Sequence, residues 1–426
     1  MRLRLKGLWR NPDFLRLWGG ETVSLLGSQV TLLAMPLVAA MTLQATPLQM
    51  GILGMVQYIP WLIVGLVAGA LADRLPRRPI MIAADLGRLM LIGFIPLVFL
   101  AGKMRIEYLY LVGFLVGTLN VFFEVAYAAY LPSLVSRESL VEGNSKLQVS
   151  ASVAEIAGPG LAGGLIQQVT APLAVAVDAL SFLLSAAALA GIRAPEARRG
   201  APAVRRHLLA EIREGLATLY SNPILRAFAL ASTTSNFFTD IHLAVFVLYA
   251  MRQVKMEPVA LGAVYAIASL GGLLGSLSAE RLASRVGLGR VIVGGQTLVG
   301  LGVLAIPFSG FHLPTAVMII AAAQALWGFA AVIFIVNAAS LRQAITPDAL
   351  QGRVAASLRF LSWGVSPLGF LLGGFLGERI GLRNTLLVAA IGPVLSLGWL
   401  LGSPVPQLRA LPPSALGSSP ALSMPS

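Results

Sequence analysis

Six carboxylates stand inside stretches of sequence that are otherwise almost wholly apolar: Glu21, Asp85, Glu124, Glu155, Asp178 and Asp240. A charge in such surroundings is costly, so each must pair with a base, face a water-filled cavity or hold a proton. Asp85 precedes Arg88 by three residues, on the same helical face, which predicts a local ion pair. Glu21 and Asp240 occupy the first apolar stretch of each half of the chain and are the leading candidates for carrying a proton or meeting a cationic substrate. Asp178 and Glu124 complete that set, although Glu124, like Glu155, also suits a structural pairing between helices. His242 lies two residues from Asp240 and therefore points to another helix face, as a packing residue. Uncharged amides within apolar helices also need partners, so Gln57, Asn236, Gln324 and Asn337 are candidates for lining an internal cavity.

Other chemistries are absent from the sequence. With no cysteine and three histidines it holds no metal-ligand set, and it has neither a phosphate-binding Walker loop nor a Gly-x-Ser-x-Gly nucleophile elbow. No enzyme activity, cofactor or metal is expected, and a proton gradient is the expected source of energy. The net charge of +13 does not imply nucleic acid, because the basic residues are spread through short gaps between apolar runs.

The elements that must position these groups are membrane helices. The chain is 57% hydrophobic and 12% charged, against about 25% charged for an average soluble domain. Runs long enough to cross a bilayer, roughly 20 residues, are read at 16–42, 49–72, 79–101, 108–133, 147–169, 171–192, 224–250, 259–281, 289–310, 313–340, 355–379 and 382–402. The unbroken stretch near 147–192 is divided at Thr170-Ala171-Pro172, since proline starts a helix more readily than it continues one. With both termini on one side, 24 of the 31 Lys and Arg residues fall on that side, six on the other, and Arg88 within a helix. This asymmetry predicts a multi-pass protein of the inner or plasma membrane with both termini cytoplasmic.

The chain is internally duplicated. Asn11-Pro12 echoes Asn222-Pro223, Gly69 to Arg74 echoes Gly275 to Arg281, Glu138 to Gly143 echoes Asp348 to Gly352, and Pro159 with Gly163-Gly164 echoes Pro367 with Gly373-Gly374. The expected organisation is a six-helix half over 1–192, a connector over 193–223, a second six-helix half over 224–402 and a disordered cytoplasmic tail over 403–426. Within the connector, Leu208, Ile212, Leu216 and Leu219 recur at helical spacing, which predicts an amphipathic helix on the inner leaflet. Parallel halves of this kind place a substrate site between them and work by rocking.

Residues 69–78, Gly-Ala-Leu-Ala-Asp-Arg-Leu-Pro-Arg-Arg, resemble the signature loop of the major facilitator superfamily, Gly-x-Leu-Ala-Asp-Arg-x-x-Arg-Arg/Lys. The resemblance implies an all-α integral membrane fold, twelve transmembrane helices in two pseudo-symmetric six-helix bundles. It also implies that Gly69, Asp73, Arg74, Arg77 and Arg78 form a gating loop that latches the cytoplasmic side, and that Glu21 and Asp240 line the central cavity. Gly158, Pro159, Gly160, Gly163 and Gly164 look like the Gly-Pro motif on helix five of superfamily antiporters. The stretches Phe123 to Val135, Glu211 to Leu216 and Pro347 to Val354 are similar to the macrolide-efflux and enterobactin-exporter branch. Members of that branch commonly have an acid after Leu-Gly in helix one, whereas Ser28 follows Leu26-Gly27 here. The implied function is a monomeric secondary transporter that exports a small amphipathic compound, such as a drug, macrolide or siderophore-like metabolite, by proton antiport. Its implied partners are that small molecule and membrane lipid. The alternative on the same fold is a proton-coupled or facilitative importer of a small solute.

Overall fold

The computed structural model describes residues 7–194, 196, 208–310 and 312–411, without the side chains of 66, 67, 69–74, 208–212 and 349. The described chain is helical almost throughout: α1 Pro12–Leu37, α2 Pro47–Arg74, α3 Arg77–Leu100, α4 Ile106–Leu134, α5 Leu140–Val169, α6 Ala171–Gly191 and α7 Leu208–Ser221. These are followed by α8 Pro223–Leu248, α9 Pro258–Val286, α10 Leu288–Ala305, α11 Leu313–Ile345, α12 Asp348–Gly364, α13 Ser366–Ile380, α14 Leu382–Ala389 and α15 Ile391–Leu401. Apart from α7 they form twelve spans, with α12–α13 and α14–α15 each a single span interrupted in the middle.

Eleven of these spans are long and apolar enough to cross a membrane. The twelfth, α8, is long enough at 26 residues, about 39 Å at 1.5 Å per residue. It carries Ser232, Thr233, Thr234, Ser235, Asn236, Thr239, Asp240 and His242, and that polar run keeps it out of the apolar set.

The duplication is visible in local geometry. The Asn11 side chain caps α1 by accepting from the backbone N–H groups of Asp13 and Phe14 at 3.0 and 3.1 Å. Asn222 caps α8 in the same way, from Ile224 and Leu225 at 2.9 and 3.2 Å. Such a cap satisfies donors that a helix start otherwise leaves open. Both helices then widen into one π-helical turn, Val38–Thr42 and Tyr249–Gln253, and both reverse through a left-handed residue, Gln44 and Lys255. Thr170 and Gly381 likewise share a positive φ, 82° and 84°, ahead of α6 and α14.

Helices α1–α6 pack mainly on one another, as do α8–α15, and the two groups meet chiefly along α2 with α13 and α5 with α9. These contacts favour one side. We call the side bearing the start of α1 and the connector the terminal face, and the other the opposite face. At the opposite face a single apolar core runs through both halves, from Val30, Leu37 and Val38 to Val245, Leu248 and Ile306. At the terminal face the cores are separate, one around Phe14, Met81 and Tyr130 and another around Phe228, Ile292 and Leu341.

Three features differ from the sequence-based expectation. The described end of α7's apolar side packs on protein rather than facing a lipid surface: Leu219 is buried with Leu225, Ala229 and Val354, and Glu214 pairs with Arg353 of α12, while the side chains of Leu208 and Ile212 lie outside the described residues. The chain beyond Gly402, expected to be disordered, is ordered as far as Leu411. Val405 is fully buried there, and the carbonyls of Leu408 and Arg409 accept from Gly289 and Leu288 at 2.8 and 3.1 Å, supplying acceptors for the otherwise open start of α10. The span read at 355–379 is broken at Val365, ahead of Pro367, which has no N–H to continue the ladder. The carbonyl of Ser362 freed by the break is taken up by Asn236 Nδ2 of α8 at 3.1 Å.

Candidate substrate cavity

A cavity of about 770 Å³ lies between the two six-helix groups, within the range of sites that enclose drug-sized ligands. Every span that approaches the interface contributes to it: Gln29 and Pro36 of α1, Gln57 and Tyr58 of α2, Glu155 and Pro159 of α5, Leu243 and Val247 of α8, Tyr265 of α9, Trp327 of α11 and Phe370 of α13. Tyr58 and Phe370 stack across the interface with ring centroids 5.3 Å apart.

The cavity is capped toward the opposite face by two glycine crossings. Gly51 of α2 abuts Gly374 of α13, and Gly262 of α9 abuts Gly163 of α5. A Cβ on Gly374 would stand 2.9 Å from Gly51 Cα, and one on Gly262 would stand 3.0 Å from Gly163 Cα. Only glycine permits backbones that close. The two crossings are repeats of one another, because Gly51 and Gly262 share their offset with Gly163 and Gly374. Of the helix-five motif, Gly163 makes this crossing, Pro159 reaches both the cavity and Gly262, and Gly158 packs against Gln29. Gly160 has only Ala266 nearby, at 3.9 Å, and Gly164 faces open space.

Hydrogen bonds close the same face. Arg252 of α8's π-turn donates to the carbonyls of Ala40 and Ala45 at 3.3 and 2.8 Å, Leu48 N–H donates to Glu378 at 3.2 Å, and Gln167 donates to Glu257 at 3.5 Å. Among the described residues these are the hydrogen bonds that join the two groups, and all of them lie on the opposite face.

The expected gating loop is engaged elsewhere. The backbone of Gly69, Asp73 and Arg74 ends α2, but their side chains lie outside the described residues. Glu196 of the connector accepts from the N–H groups of Arg77 and Arg78 at 2.7 and 3.3 Å, which caps α3. The Arg77 guanidinium donates to the carbonyl of Ala129 at 3.2 Å, and that of Arg78 to Leu189 at 2.8 Å. Asp13 holds the same connector through the N–H groups of Arg193 and Ala194, each at 3.0 Å. In this state Arg77 and Arg78 serve their own half.

The acids are placed unequally. Asp85 pairs with Arg88, as the spacing predicts. Arg88 also donates to Asn120 at 3.0 Å and lies between the rings of Phe123 and Phe182, 4.2 and 4.3 Å from their centroids. Glu21 is half-buried, with Arg88, Asp85 and Glu124 as charged neighbours, and Glu124 is exposed with Arg88 and Arg359 near it. Asp178 is fully buried against α1 and accepts from Ser28 and Ser181 at 3.4 and 3.1 Å, so α6 supplies a carboxylate beside the position where helix one lacks it. Asp240 is buried where α8 meets α13, beside Gly369, with one carboxyl oxygen unbonded. His242 stacks on Phe246.

None of Glu21, Glu124, Asp178 and Asp240 lies on the cavity wall, which carries instead Glu155, a residue the sequence reading assigned to structural pairing. Of the four amides, Gln57 is on the wall. Asn236 caps the broken span, Asn337 folds back onto the carbonyl of Ile333 at 2.9 Å and Gln324 is buried in α11's packing. Gln29, which sequence reasoning missed, faces the cavity; it is an amide in a membrane helix like the others, and that was the available signal.

Known proteins share this architecture. The multidrug efflux pump Tap of Mycolicibacterium fortuitum is 27% identical over 94% of this chain and 97% of its own. Macrolide efflux protein A of Streptococcus pyogenes is 24% identical over 88% and 92%. Among solved structures, a bacterial homologue of the iron transporter ferroportin in its inward-facing state superposes with a TM-score of 0.75 at 16% identity, over 93% of this chain and 99% of that one. The family model described as transmembrane secretion effector matches residues 8–424. With the two-half helical fold and its central cavity, these matches establish a multi-span membrane transporter of small molecules, not an enzyme. The chain belongs to the transmembrane secretion effector family of the major facilitator superfamily.

Proposed function

We propose that this protein exports a small amphipathic compound across the plasma membrane by alternating access, in exchange for protons, with its termini in the cytoplasm. The observation that carries this reading is the cavity between two repeated halves beneath a closed opposite face. The excess of Lys and Arg on the terminal face supports a cytoplasmic assignment for that side. The cavity then takes up cargo from the cytoplasm in the present state, the first half of an export cycle. Similarity to a multidrug pump and a macrolide efflux protein supports export of a drug-like or siderophore-like compound.

Asp240 and Glu21 are the proposed proton carriers. Asp240 lies between α8 and α13, the helix that also carries Phe370 of the cavity and Gly374 of the closure. A change in its charge is therefore placed to act on both. In inverted vesicles energised with a proton gradient, Glu21→Gln and Asp240→Asn are each expected to abolish gradient-driven uptake of a transported drug. Undiminished gradient-driven transport in both variants would remove the assignment.

A further inference from the structure

We propose that the cavity selects organic cations and that Glu155 is the group that meets their charge. This rests on reading the cavity as the export site.

The wall is electrically one-sided. Among the described residues that line it, Glu155 is the one carboxylate, and no Lys, Arg or His faces it. Off the wall, Asp85 is engaged by Arg88, Asp178 by Ser28 and Ser181, and Glu214 by Arg353, while Glu21, Glu124 and Asp240 do not line the cavity. Glu155 is exposed to the cavity and, among the described residues, makes no hydrogen bond and no ion pair. A carboxylate at mid-membrane depth without a partner is expensive to keep, and a cationic guest removes that cost when it binds.

The rest of the wall suits the same guest. Tyr58, Tyr265, Trp327 and Phe370 present aromatic surface, and ring faces attract a cation most strongly where water is excluded. Gln29 and Ser152 offer hydrogen bonds without adding charge. An anion would meet a carboxylate here with no base to offset it, so the wall discriminates against anions as well as for cations.

Position adds a consequence. Glu155 lies one helical turn before Pro159, whose carbonyl abuts Gly262 at the closure. A cation drawn to Glu155 therefore docks on the same helix, α5, that makes the crossing which must open to release it.

The test uses the full-length protein in lipid nanodiscs. Tetraphenylphosphonium, a permanent cation, is titrated beside chloramphenicol, a neutral amphiphile, against wild type, Glu155→Gln and Glu155→Asp. The expected result is that the ratio of cation affinity to neutral affinity falls at least about tenfold in Glu155→Gln and is largely kept in Glu155→Asp. An unchanged ratio in Glu155→Gln overturns the assignment of Glu155 and leaves the export reading standing. Failure of the wild type to bind either compound overturns both.

Discussion

The two faces of this transporter are built from the same repeated helices yet hold together by different means. At the opposite face, residues of α1 and α8 share one apolar core, two glycine pairs bring backbones together and Arg252 spans the halves. At the terminal face each half keeps its own core, and among the described residues Arg77, Arg78 and Asp13 bond within their own half or to the connector, while Glu214 of the connector pairs with Arg353. Duplication supplies two equivalent crossings, whereas the bonds at Arg252 are not duplicated, because Met41 occupies the equivalent position in the first half. The difference shows where the described hydrogen bonds and backbone crossings between the halves gather: on one face, where they must be given up together when the cycle proceeds.

This comparison can be broken in graded steps, and the absence of cysteine gives a clean background for doing so. The largest effect is expected from a covalent lock. Cysteines at Leu48 and Glu378, joined by oxidation, should cut drug efflux below about a tenth of the reduced protein, with recovery on adding a reductant. Overpacking one crossing comes next. Gly262→Ala places a Cβ against α5, and overpacking of this kind costs about 1–3 kcal/mol, so spin-label distances should show the opposite face opening in a substantial fraction of molecules at rest. Arg252→Ala removes the bonds to Ala40 and Ala45 and should shift the same populations less, by about fivefold, equivalent to about 1 kcal/mol for hydrogen bonds at a partly exposed site. The smallest effect is expected from Glu214→Gln on the terminal face. Its carboxylate is half-exposed, and exposed ion pairs contribute little, so efflux should stay within about twofold of wild type.

The spans were legible because a bilayer imposes length and apolarity, and the Asn-Pro caps marked the start of each half. Thr170-Ala171-Pro172 divided α5 from α6 for the same reason, a proline at a helix start. Contacts that depend on a partner were not legible. The period of Leu216 and Leu219 in α7 revealed an apolar stripe, but a stripe does not say whether lipid or α12 covers it. Val405 beyond the last span gave no periodic signal, since three residues that plug the start of α10 need none. Among the acids in apolar runs, Asp85, Asp178 and Asp240 are buried whereas Glu124 and Glu155 are exposed, and the direction each side chain takes around its helix decides which. Thus Asp85 found its pair three residues away, while Glu155 turned to the cavity and Asp240 to α13. The amides Asn236 and Asn337 needed partners as expected, and found them in backbone carbonyls rather than in a ligand.

The central claim is that the two faces open and close reciprocally around the cavity. It is tested most directly by spin-label distances at two repeat-related pairs, Thr42→Cys with Gln253→Cys on the opposite face and Arg137→Cys with Asp348→Cys on the terminal face, measured at rest and with substrate and a proton gradient. The account predicts a short, narrow opposite-face distance at rest that lengthens during turnover while the terminal-face distance shortens. Distances that stay fixed at both faces, or that lengthen together, would contradict it.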